Sequence, residues 1–440
     1  MSELTVKDTE ARKRLVSLFD DGSFSELDAY AKSADGEIEV IAGYGTVNGI
    51  CAYAFSQDVT VDGGAISTAQ CAKIKKIYNL AAKTGCPVIG IYDSNGMKLK
   101  EGFEALNAYG EILKLSTSVS GVVLQISVIA GACLGTSALM ANMADVVIAV
   151  KDADFYVTAP ADITAEQSFK DGTVDILTDD VDGALAAAKE LVCVLPSNNL
   201  EMPFPCEYSY DGVINGGKLA SAESYVYDIA DNNSVIAIKR GYAQNVFTAF
   251  GSIEGSTVGF VSFDGDTVCP SCAYKAEAFI KLCDAFNIPI VTFVNAKGLK
   301  RGKESQMLVS ATKLTSAYAT ATSPKISVIT GSAIGAAYIA LAGKGANADL
   351  VFAWDNAVVS PLEVDSAVAF LYNDRLANGE SREALEKEYA ENLASPFTAA
   401  ACGAIDDIFT PEETRTKLIN ALTFLDGKRE TTIPRKHSVK

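Results

Sequence analysis

The chain has 440 residues and a net charge of −18 at pH 7, with 49% hydrophobic and 21% charged residues. This length exceeds what one compact core usually supports, so two domains are expected, and the hydrophobic content excludes a largely disordered chain. The acidity argues against nucleic acid or an anionic membrane surface as a partner, because both require clustered Lys and Arg.

Ten cysteines are spread along the chain without a short-spaced disulfide framework. This usage indicates reduced thiols and a cytoplasmic protein. The only CxxC motif, Cys269–Cys272, has no second cysteine pair to complete a four-ligand zinc site, so ordinary buried or loop cysteines are favoured over a metal or redox role. No secretory signal and no membrane insertion are predicted, because the first residues are charged and the longest apolar stretch, 121–150, is interrupted by glycines and Asp145.

In chain order, the first predicted elements are a helix and turn over 11–28 and a hairpin over 38–56 that turns at Asn48-Gly49. A helix over 68–84 follows, and then a short apolar strand that runs into a turn at Gly96. A second helix leads to the strand ISVI at 126–129, which lacks polar alternation and is therefore predicted to be buried on both faces.

The same series recurs roughly 200 positions later, with a hairpin over 245–262, a helix over 272–286 and a second ISVI at 326–329. Gly96 corresponds to Gly298, and the pair Gly131 and Gly135 corresponds to Gly331 and Gly335. Landmarks repeated in the same order indicate a duplicated domain, and the alternation of strands and helices predicts the α/β class. A linker is predicted within 195–235, with the domain boundary near 205–235, and residues 363–426 are predicted to be helical.

The glycines that follow the strands carry the first chemical prediction. A glycine at a strand-to-helix junction lets the backbone approach a ligand, and the first N–H groups of the helix lack intrahelical partners. Two such donors facing one point would form an oxyanion hole, although tight helix–sheet packing is the alternative explanation for each turn. The candidate donors are Gly96/Met97 with Gly135/Thr136, and Gly298/Leu299 with Gly335/Ala336.

The single histidine, His437, lies in the polar segment PRKHSVK and is expected to be solvated. A Ser-His-Asp or Cys-His mechanism is therefore excluded. A reaction that needs only oxyanion stabilisation and a base supplied by the reactants would suit the chain.

Several long motifs carry a family resemblance over nearly the whole chain. They are RLVSLFDDGSFSELD, GYGTVNG, YDSNGMKLKEG, ISVIAGACLG, LPSNNLE, CDAFNIPIVTF, ISVITGSAIGAAY and SPFTAAACGAIDDIFTPEETR. In these motifs the chain resembles the carboxyltransferase subunit of biotin-dependent acyl-CoA carboxylases and of the related decarboxylases, which are members of the crotonase superfamily.

The resemblance implies tandem crotonase-like domains, each a β-β-α superhelix, with an acyl-CoA domain over 1–215 and a biotin domain over 216–440. It implies a homo-hexamer built as a trimer of dimers, with a biotin carboxyl carrier protein and a biotin carboxylase subunit as partners. The reaction implied is carboxyl transfer between carrier-bound carboxybiotin and acetyl- or propionyl-CoA, with the first hole serving the thioester and the second serving biotin. The substrate-binding residues implied are Gly63, Gly64, Lys98, Tyr338 and Ile339.

Two alternatives stay open. The same chemistry run in reverse would suit the soluble subunit of a sodium-pumping methylmalonyl-CoA-type decarboxylase. A non-catalytic scaffold subunit is the other, because Ser94–Lys98 reads SNGMK where the family tends to have SGGAR, and Thr136 replaces a glycine. An aliphatic residue at Ile339 suggests a short, uncharged acyl chain.

Overall fold

A computed structural model describes residues 8–158, 162–203, 205–212, 221–265, 267–341 and 343–434. The described residues separate into two compact units: unit 1 runs to residue 203 and includes 239–242, and unit 2 contains 205–238 and 243–434. The predicted boundary between residues 215 and 216, and His437, lie outside the described residues.

Unit 1 is built around a mixed sheet that is covered by helices. Its sheet has the strand order β1-β2-β3-β4-β5-β6-β8, and β7 pairs with β5. The strands are β1 (Ser25–Leu27), β2 (Val40–Val47), β3 (Ile50–Gln57), β4 (Val88–Ser94), β5 (Gln125–Leu134), β6 (Val146–Val150), β7 (Phe155–Tyr156) and β8 (Ile176–Thr178). The helices are α1 (Glu10–Leu18), α2 (Thr68–Thr84), α3 (Phe103–Val119), α4 (Thr136–Ala141), α5 (Ala165–Lys170) and α6 (Val181–Val194).

Unit 2 repeats this plan. Its sheet has the order β16-β14-β13-β12-β11-β10-β9, and β15 pairs with β13. The strands are β9 (Ile236–Ile238), β10 (Val246–Ile253), β11 (Ser256–Phe263), β12 (Ile290–Ala296), β13 (Lys325–Ile334), β14 (Leu350–Trp354), β15 (Val358–Ser360) and β16 (Asp407–Phe409). The helices are α7 (Ala222–Ile229), α8 (Pro270–Ala285), α9 (Glu304–Thr320), α10 (Ala336–Ala340), α11 (Val364–Leu371), α12 (Asn373–Ala377), α13 (Arg382–Asn392), α14 (Pro396–Ala401) and α15 (Thr414–Leu425).

The matching strand orders confirm the duplication and the α/β class. In each unit the two hairpin strands, β2–β3 or β10–β11, pair in antiparallel fashion. The next strand, β4 or β12, then pairs in parallel with the second hairpin strand. The hairpins turn where the sequence predicts, because Asn48-Gly49 and Glu254-Gly255 adopt the positive φ angles that a two-residue turn requires. Each central parallel strand is buried on both faces, which explains its continuous apolar sequence.

Helix α2 illustrates why the local prediction succeeded. Ser67 precedes the helix and its hydroxyl accepts the N–H of Gln70, and Gly85 ends the helix in the left-handed conformation. Ile74 and Ile77 lie on one helix face and are buried in the core of unit 1. The bounds Thr68–Thr84 are those predicted.

The prediction was incomplete where short elements depend on distant partners. Residues 363–426 contain β16 between helices, because Asp407–Phe409 pairs in parallel with β14. Residues 195–235, predicted as a linker, contain α7, whose buried face packs in the core of unit 2. No helix among the described residues is both long and apolar enough to cross a bilayer.

A buried ion pair in unit 2 joins Arg415 of α15 to Asp231, which follows α7. The side chains of Arg415 and Asp231 are 8% and 1% exposed, and Arg415 Nη2 lies 2.5 Å from Asp231 Oδ1. The same carboxylate accepts the hydroxyl of Ser252 and the N–H of Gly255, at 2.7 and 2.8 Å. The guanidinium also stacks on the Tyr210 ring, with its Cζ 3.7 Å from the ring centre.

Removing one partner of this pair should destabilise the protein strongly. We expect Arg415→Met to lower the free energy of unfolding by about 3–5 kcal/mol, because the Asp231 carboxylate would stay buried without its cation. Chemical denaturation monitored by circular dichroism measures this loss. The matched control is Lys387→Met, whose partner Glu391 lies 3.8 Å away in an exposed pair; it should change stability by less than about 0.5 kcal/mol. Equal effects of the two substitutions would contradict a stabilising role for the buried Arg415–Asp231 pair.

Candidate functional site

The first candidate site lies at the carboxyl ends of two neighbouring parallel strands of unit 1. The register of β4 and β5 shifts between Tyr92 and Ser94, so that Ser94 pairs with Cys133. The turn at Gly96 follows β4, and Gly135 follows β5 as the residue before α4. Both glycines have positive φ, 107° for Gly96 and 58° for Gly135. Such backbone favours glycine, because a side chain would be strained there.

The hydrogen bonds of these turns decide which amides can bind a ligand. The N–H of Gly135 donates to the Tyr156 carbonyl at 3.0 Å, and the N–H of Gly96 donates to Ser94 Oγ at 3.0 Å. The N–H groups of Met97 and Thr136 have no hydrogen-bond partner among the described residues. Of each predicted donor pair, the second residue therefore supplies the available amide. We call the N–H groups of Met97 and Thr136 the first amide pair.

The two turns approach each other closely. A Cβ added to Gly96 would lie 3.4 Å from Thr136 Oγ1 and 3.9 Å from the Thr136 amide nitrogen. Met97 is fixed by a parallel bridge with Ile66, in which the Ile66 N–H donates to Gly96 O and the Lys98 N–H donates to Ile66 O. This bridge uses the neighbouring backbone groups and leaves the Met97 N–H pointing away from it.

A buried hydroxyl network supports the Gly96 turn from behind. The Tyr109 hydroxyl donates to Gly96 O at 3.0 Å and lies 3.0 Å from Ser137 Oγ. Ser137 Oγ in turn donates to Ser94 Oγ at 3.1 Å. Burial raises the pKa of Tyr109 above its usual range, so the phenol stays a neutral donor. The network therefore makes the turn rigid.

A cleft of about 470 Å³ opens on this pair of turns. It brings together five residues that the sequence predicted for a site: Gly96, Met97, Lys98, Gly135 and Thr136. Thr136 Oγ1 is buried and has no hydrogen-bond partner among the described residues. The remaining lining residues are Asp62, Ala65, Asn95, Leu99 and Lys100.

Lys98 lines the cleft, but its ammonium is held within a cluster of acidic groups. Nζ lies 2.7 Å from Asp35, 2.8 Å from Glu39 and 3.1 Å from Asp62. Burial lowers the pKa of Lys98, but the hydrogen bonds that its ammonium donates to the three carboxylates outweigh this effect and raise the pKa above its ordinary value of 10.5. The positive charge of Lys98 is thus balanced by carboxylates within unit 1. Lys100, two residues further along, is exposed.

Gly63 and Gly64 do not line the cleft but let two backbone segments meet. A Cβ on Gly64 would lie 2.0 Å from the Asp93 carbonyl oxygen, and one on Gly63 would lie 2.4 Å from Asn95 Nδ2. The N–H of Asn95 donates to Gly63 O at 3.0 Å. These glycines therefore allow the 62–64 turn to pack against the end of β4.

Unit 2 repeats the backbone arrangement. Val268 forms a parallel bridge with Leu299, the Val268 N–H donates to Gly298 O, and the Gly335 N–H donates to Ser360 O at 2.9 Å. The N–H groups of Leu299 and Ala336 have no hydrogen-bond partner among the described residues, and we call them the second amide pair. The strands before these turns, β12 and β13, are neighbours in the sheet.

Two further predicted residues of unit 2 lie just after the second amide pair. The Tyr338 hydroxyl donates to the Ala404 carbonyl at 2.9 Å, so its polar end is already used within unit 2. Ile339 is 53% exposed.

Sequence reasoning missed the residues that support the first site. Tyr109, Ser137 and Lys100 were not predicted, although Ser137 follows a predicted donor directly. Tyr109 offered no local signal, because it lies within an amphipathic helix and has the spacing of a core residue. The hydroxyls of Ser137 and Tyr109 meet only when α3 and α4 pack together.

The chain matches the carboxyl transferase domain over residues 7–439. It is a member of the carboxyl transferase domain family. The methylmalonyl-CoA decarboxylase subunit alpha of Veillonella parvula is 34% identical over 97% of this chain and 92% of that protein. The propionyl-CoA carboxylase beta chain of Saccharopolyspora erythraea is also 34% identical, over 97% and 89%. The crystal structure of the hexameric 12S transcarboxylase with methylmalonyl-CoA and methylmalonic acid bound superposes with a TM-score of 0.91, at 31% identity, over 98% of this chain and 92% of that one.

These comparisons confirm the resemblance and the crotonase-like fold that it implied. The family match and the superposed 12S transcarboxylase structure each span both unit 1 and unit 2.

The acidic cluster around Lys98 generates a stability prediction. We expect Lys98→Met to lower the free energy of unfolding at pH 7 by about 3–5 kcal/mol, because the fully buried Glu39 carboxylate would lose its cation. Since the folded-state pKa of Lys98 is raised, its contribution is complete below pH 10.5 and is lost only as the pH rises further. Urea unfolding at pH 7 measures the change.

Two variants control this experiment. Lys100→Met removes an exposed ammonium from the same segment and should change stability by less than about 0.5 kcal/mol. The double variant Lys98→Met/Glu39→Gln should recover part of the loss, because the buried charge is gone. A Lys98→Met protein as stable as the Lys100→Met protein would contradict the pairing.

Proposed function

We propose that this chain is the carboxyltransferase subunit of a biotin-dependent enzyme, moving a carboxyl group between carboxybiotin on a separate carrier protein and a short-chain acyl-CoA such as acetyl- or propionyl-CoA. The observation that carries the proposal is the duplicated pair of main-chain amides without internal partners, one pair at the strand ends of each unit. The similarity to carboxylase and decarboxylase subunits over 97% of the chain supports the same chemistry.

The first amide pair would act on the acyl-CoA. Negative charge develops on the thioester oxygen when the neighbouring carbon loses or gains a carboxyl group. Met97 and Thr136 N–H groups aimed at that oxygen would stabilise the charge without reorganisation, because the bridge to Ile66 and the network of Tyr109 hold the turns in place. The exposed Lys100 at the same cleft is placed to attract a phosphate of the CoA.

The second amide pair would act on the ureido oxygen of biotin. Carboxybiotin supplies the carboxyl group and, once this has left, a basic nitrogen. The N–H groups of Leu299 and Ala336 would hold the negative charge on the ureido oxygen, and the two units would thereby serve two different oxygens with one backbone design.

The direction of transfer defines a second candidate. The decarboxylase subunit and the carboxylase subunit named above are equally identical to this chain, at 34%. The active-site chemistry is reversible, so a methylmalonyl-CoA-type decarboxylase remains the alternative. Co-purification with a biotin carboxylase subunit supports the carboxylase, and co-purification with a membrane subunit supports the decarboxylase.

We further propose a homo-hexamer built as a trimer of dimers, supported by the 12S transcarboxylase hexamer. Large apolar side chains of unit 2 are exposed in the single chain, which suits an oligomer that buries them. They are Leu308, Val309, Ile339, Phe370 and Leu371. Ile339 would then line the acyl pocket, with Tyr338 beside it. A cytoplasmic location fits the free thiols of the described cysteines.

The direct assay is carboxylation of free biotin by methylmalonyl-CoA, measured by formation of propionyl-CoA, with malonyl-CoA tested in parallel. We expect turnover that depends on both biotin and the acyl-CoA. Saturable binding of CoA esters at the first site would count against a non-catalytic scaffold subunit. A folded oligomer that turns over no short acyl-CoA would overturn the proposal.

A proline substitution can remove one amide donor without changing the helix. Thr136 is the first residue of α4, a position that tolerates proline. We expect Thr136→Pro to lower kcat by roughly 100- to 1,000-fold with little change in KM, because one donor to the charged oxygen is lost. Thr136→Ala keeps the N–H and should retain most of the activity.

The same substitution in unit 2 tests the second amide pair. Ala336 is the first residue of α10, and Ala336→Pro should lower kcat by a similar factor, with Ala336→Ser as its matched control. Circular dichroism and gel filtration establish that each variant is folded and assembled. Activity of the folded Ala336→Pro protein within a few-fold of wild type would argue against a role for this amide.

A further inference from the structure

Two thiols face each other at the start of α8 in unit 2. Cys269 is the residue before the helix, Pro270 is its first residue, and Cys272 lies one turn further along. The two Sγ atoms are 2.8 Å apart. We call Cys269 and Cys272 the dithiol. Neither amide pair uses it, so the carboxyl transfer chemistry does not account for it.

The two thiols have different environments. Cys269 is partly exposed, whereas Cys272 is buried and only 1% exposed. The Cys272 N–H donates to Cys269 Sγ at 3.3 Å, so the helix start stabilises a thiolate at Cys269. A hydrogen bond from the Cys272 thiol, assisted by backbone N–H groups and by the charge of Lys300, lowers the pKa of Cys269 to about 6. The hydrogen bond to Cys269 and burial raise the pKa of Cys272.

We propose that the dithiol is a reversible redox site whose substrate is a low-molecular-weight disulfide. The Cys269 thiolate attacks one sulfur of the small disulfide, a mixed disulfide forms, and one thiolate leaves. Cys272 then loses its proton to that leaving thiolate and attacks Cys269 Sγ, which closes the Cys269–Cys272 disulfide and releases the second small thiolate. Counted from two thiols, the chain loses two electrons and two protons. The Cys272 proton passes to the first leaving thiolate, the second thiolate takes from water the proton that Cys269 released when it ionised, and the small disulfide thus becomes two thiols.

The geometry suits this closure. A disulfide has an S–S distance of about 2.05 Å, so the two sulfurs need to approach by less than about 1 Å. The exposed thiol is the one with the lowered pKa, and the buried thiol is positioned to resolve the mixed disulfide. No group of three or more potential metal ligands occurs among the described residues, so the pair is not part of such a cluster.

The position of the dithiol links it to the second amide pair. Cys269 directly follows Val268, whose N–H donates to Gly298 O and whose carbonyl accepts the Lys300 N–H, both at 2.9 Å. The corresponding position in unit 1 is Ser67, whose hydroxyl accepts the Gln70 N–H at the start of α2. The equivalent helix in unit 1 is thus capped by a serine hydroxyl. Cys269→Ser is therefore a conservative substitution that should preserve folding.

The test is a redox titration of the full-length protein in glutathione buffers, from fully reduced to strongly oxidising. After acid quenching, alkylation and tryptic digestion, the peptide 241–275 contains only these two cysteines. We expect it to lose two hydrogen atoms reversibly as the buffer becomes oxidising. In Cys272→Ala, glutathione should accumulate on Cys269, and in Cys269→Ser neither species should form.

A second measurement needs no variant. At pH 6.5, iodoacetamide should alkylate Cys269 of the wild-type protein about 5-fold or more faster than Cys51, an exposed thiol of unit 1, because the lowered pKa of Cys269 raises its reactivity through the thiolate fraction by more than it lowers its nucleophilicity. A peptide 241–275 that stays a dithiol throughout the titration, or alkylation of Cys269 no faster than that of Cys51, would overturn the proposal and leave Cys269 as a helix cap only. Neither readout depends on carboxyl transfer, so this inference and the proposed function can fail independently.

Discussion

The functional proposal for this chain depends on main-chain N–H groups that the fold leaves without internal partners. The residues that carry these two amides, Met97 and Thr136, line the same cleft, and the Thr136 N–H is free because it belongs to the first residue of a helix. At the first site, Gly135 uses its own N–H on Tyr156, and the next amide, that of Thr136, is the one left over. The parallel bridge at Ile66 does the same for Met97 by using the groups on either side of it. The bonding that makes the turns rigid also determines which amides are available.

The two units reach the same backbone geometry with different side-chain support. In unit 1, Asp93 at the end of β4 is paired with Arg14 at 2.8 Å, so a buried charge is compensated there. In unit 2 the equivalent residue is Asn295, whose side-chain oxygen accepts the Ser332 N–H at 2.9 Å. Duplication has therefore preserved the main-chain pattern while the polar residues behind it diverged. This is the expected result if the backbone is what both copies need.

Each unit buries charged side chains in its interior. The Lys98 ammonium lies among three carboxylates in unit 1, and the Arg415 guanidinium lies against Asp231 in unit 2. Such pairs are costly to bury but still more costly to break, so they favour one arrangement of the segments that carry them. In unit 1 the arrangement includes the turn of the first amide pair, because Lys98 follows Met97 directly.

The sequence by itself determined the duplication, the α/β class, the hairpins and the bounds of α2, and it located the glycine turns at the strand ends. These features depend on local periodicity, turn residues and helix caps, which act over a few positions. Only the tertiary structure decided that Thr136 rather than Gly135 offers the free amide, because the partner of Gly135 is a two-residue strand, β7, that has no signal of its own. It also decided that Lys98 is neutralised inside the fold and that Tyr109 supports the turn, since their partners lie on segments distant in the chain. Hydrogen bonds between distant segments follow from packing, and packing is not encoded in any local pattern of residues.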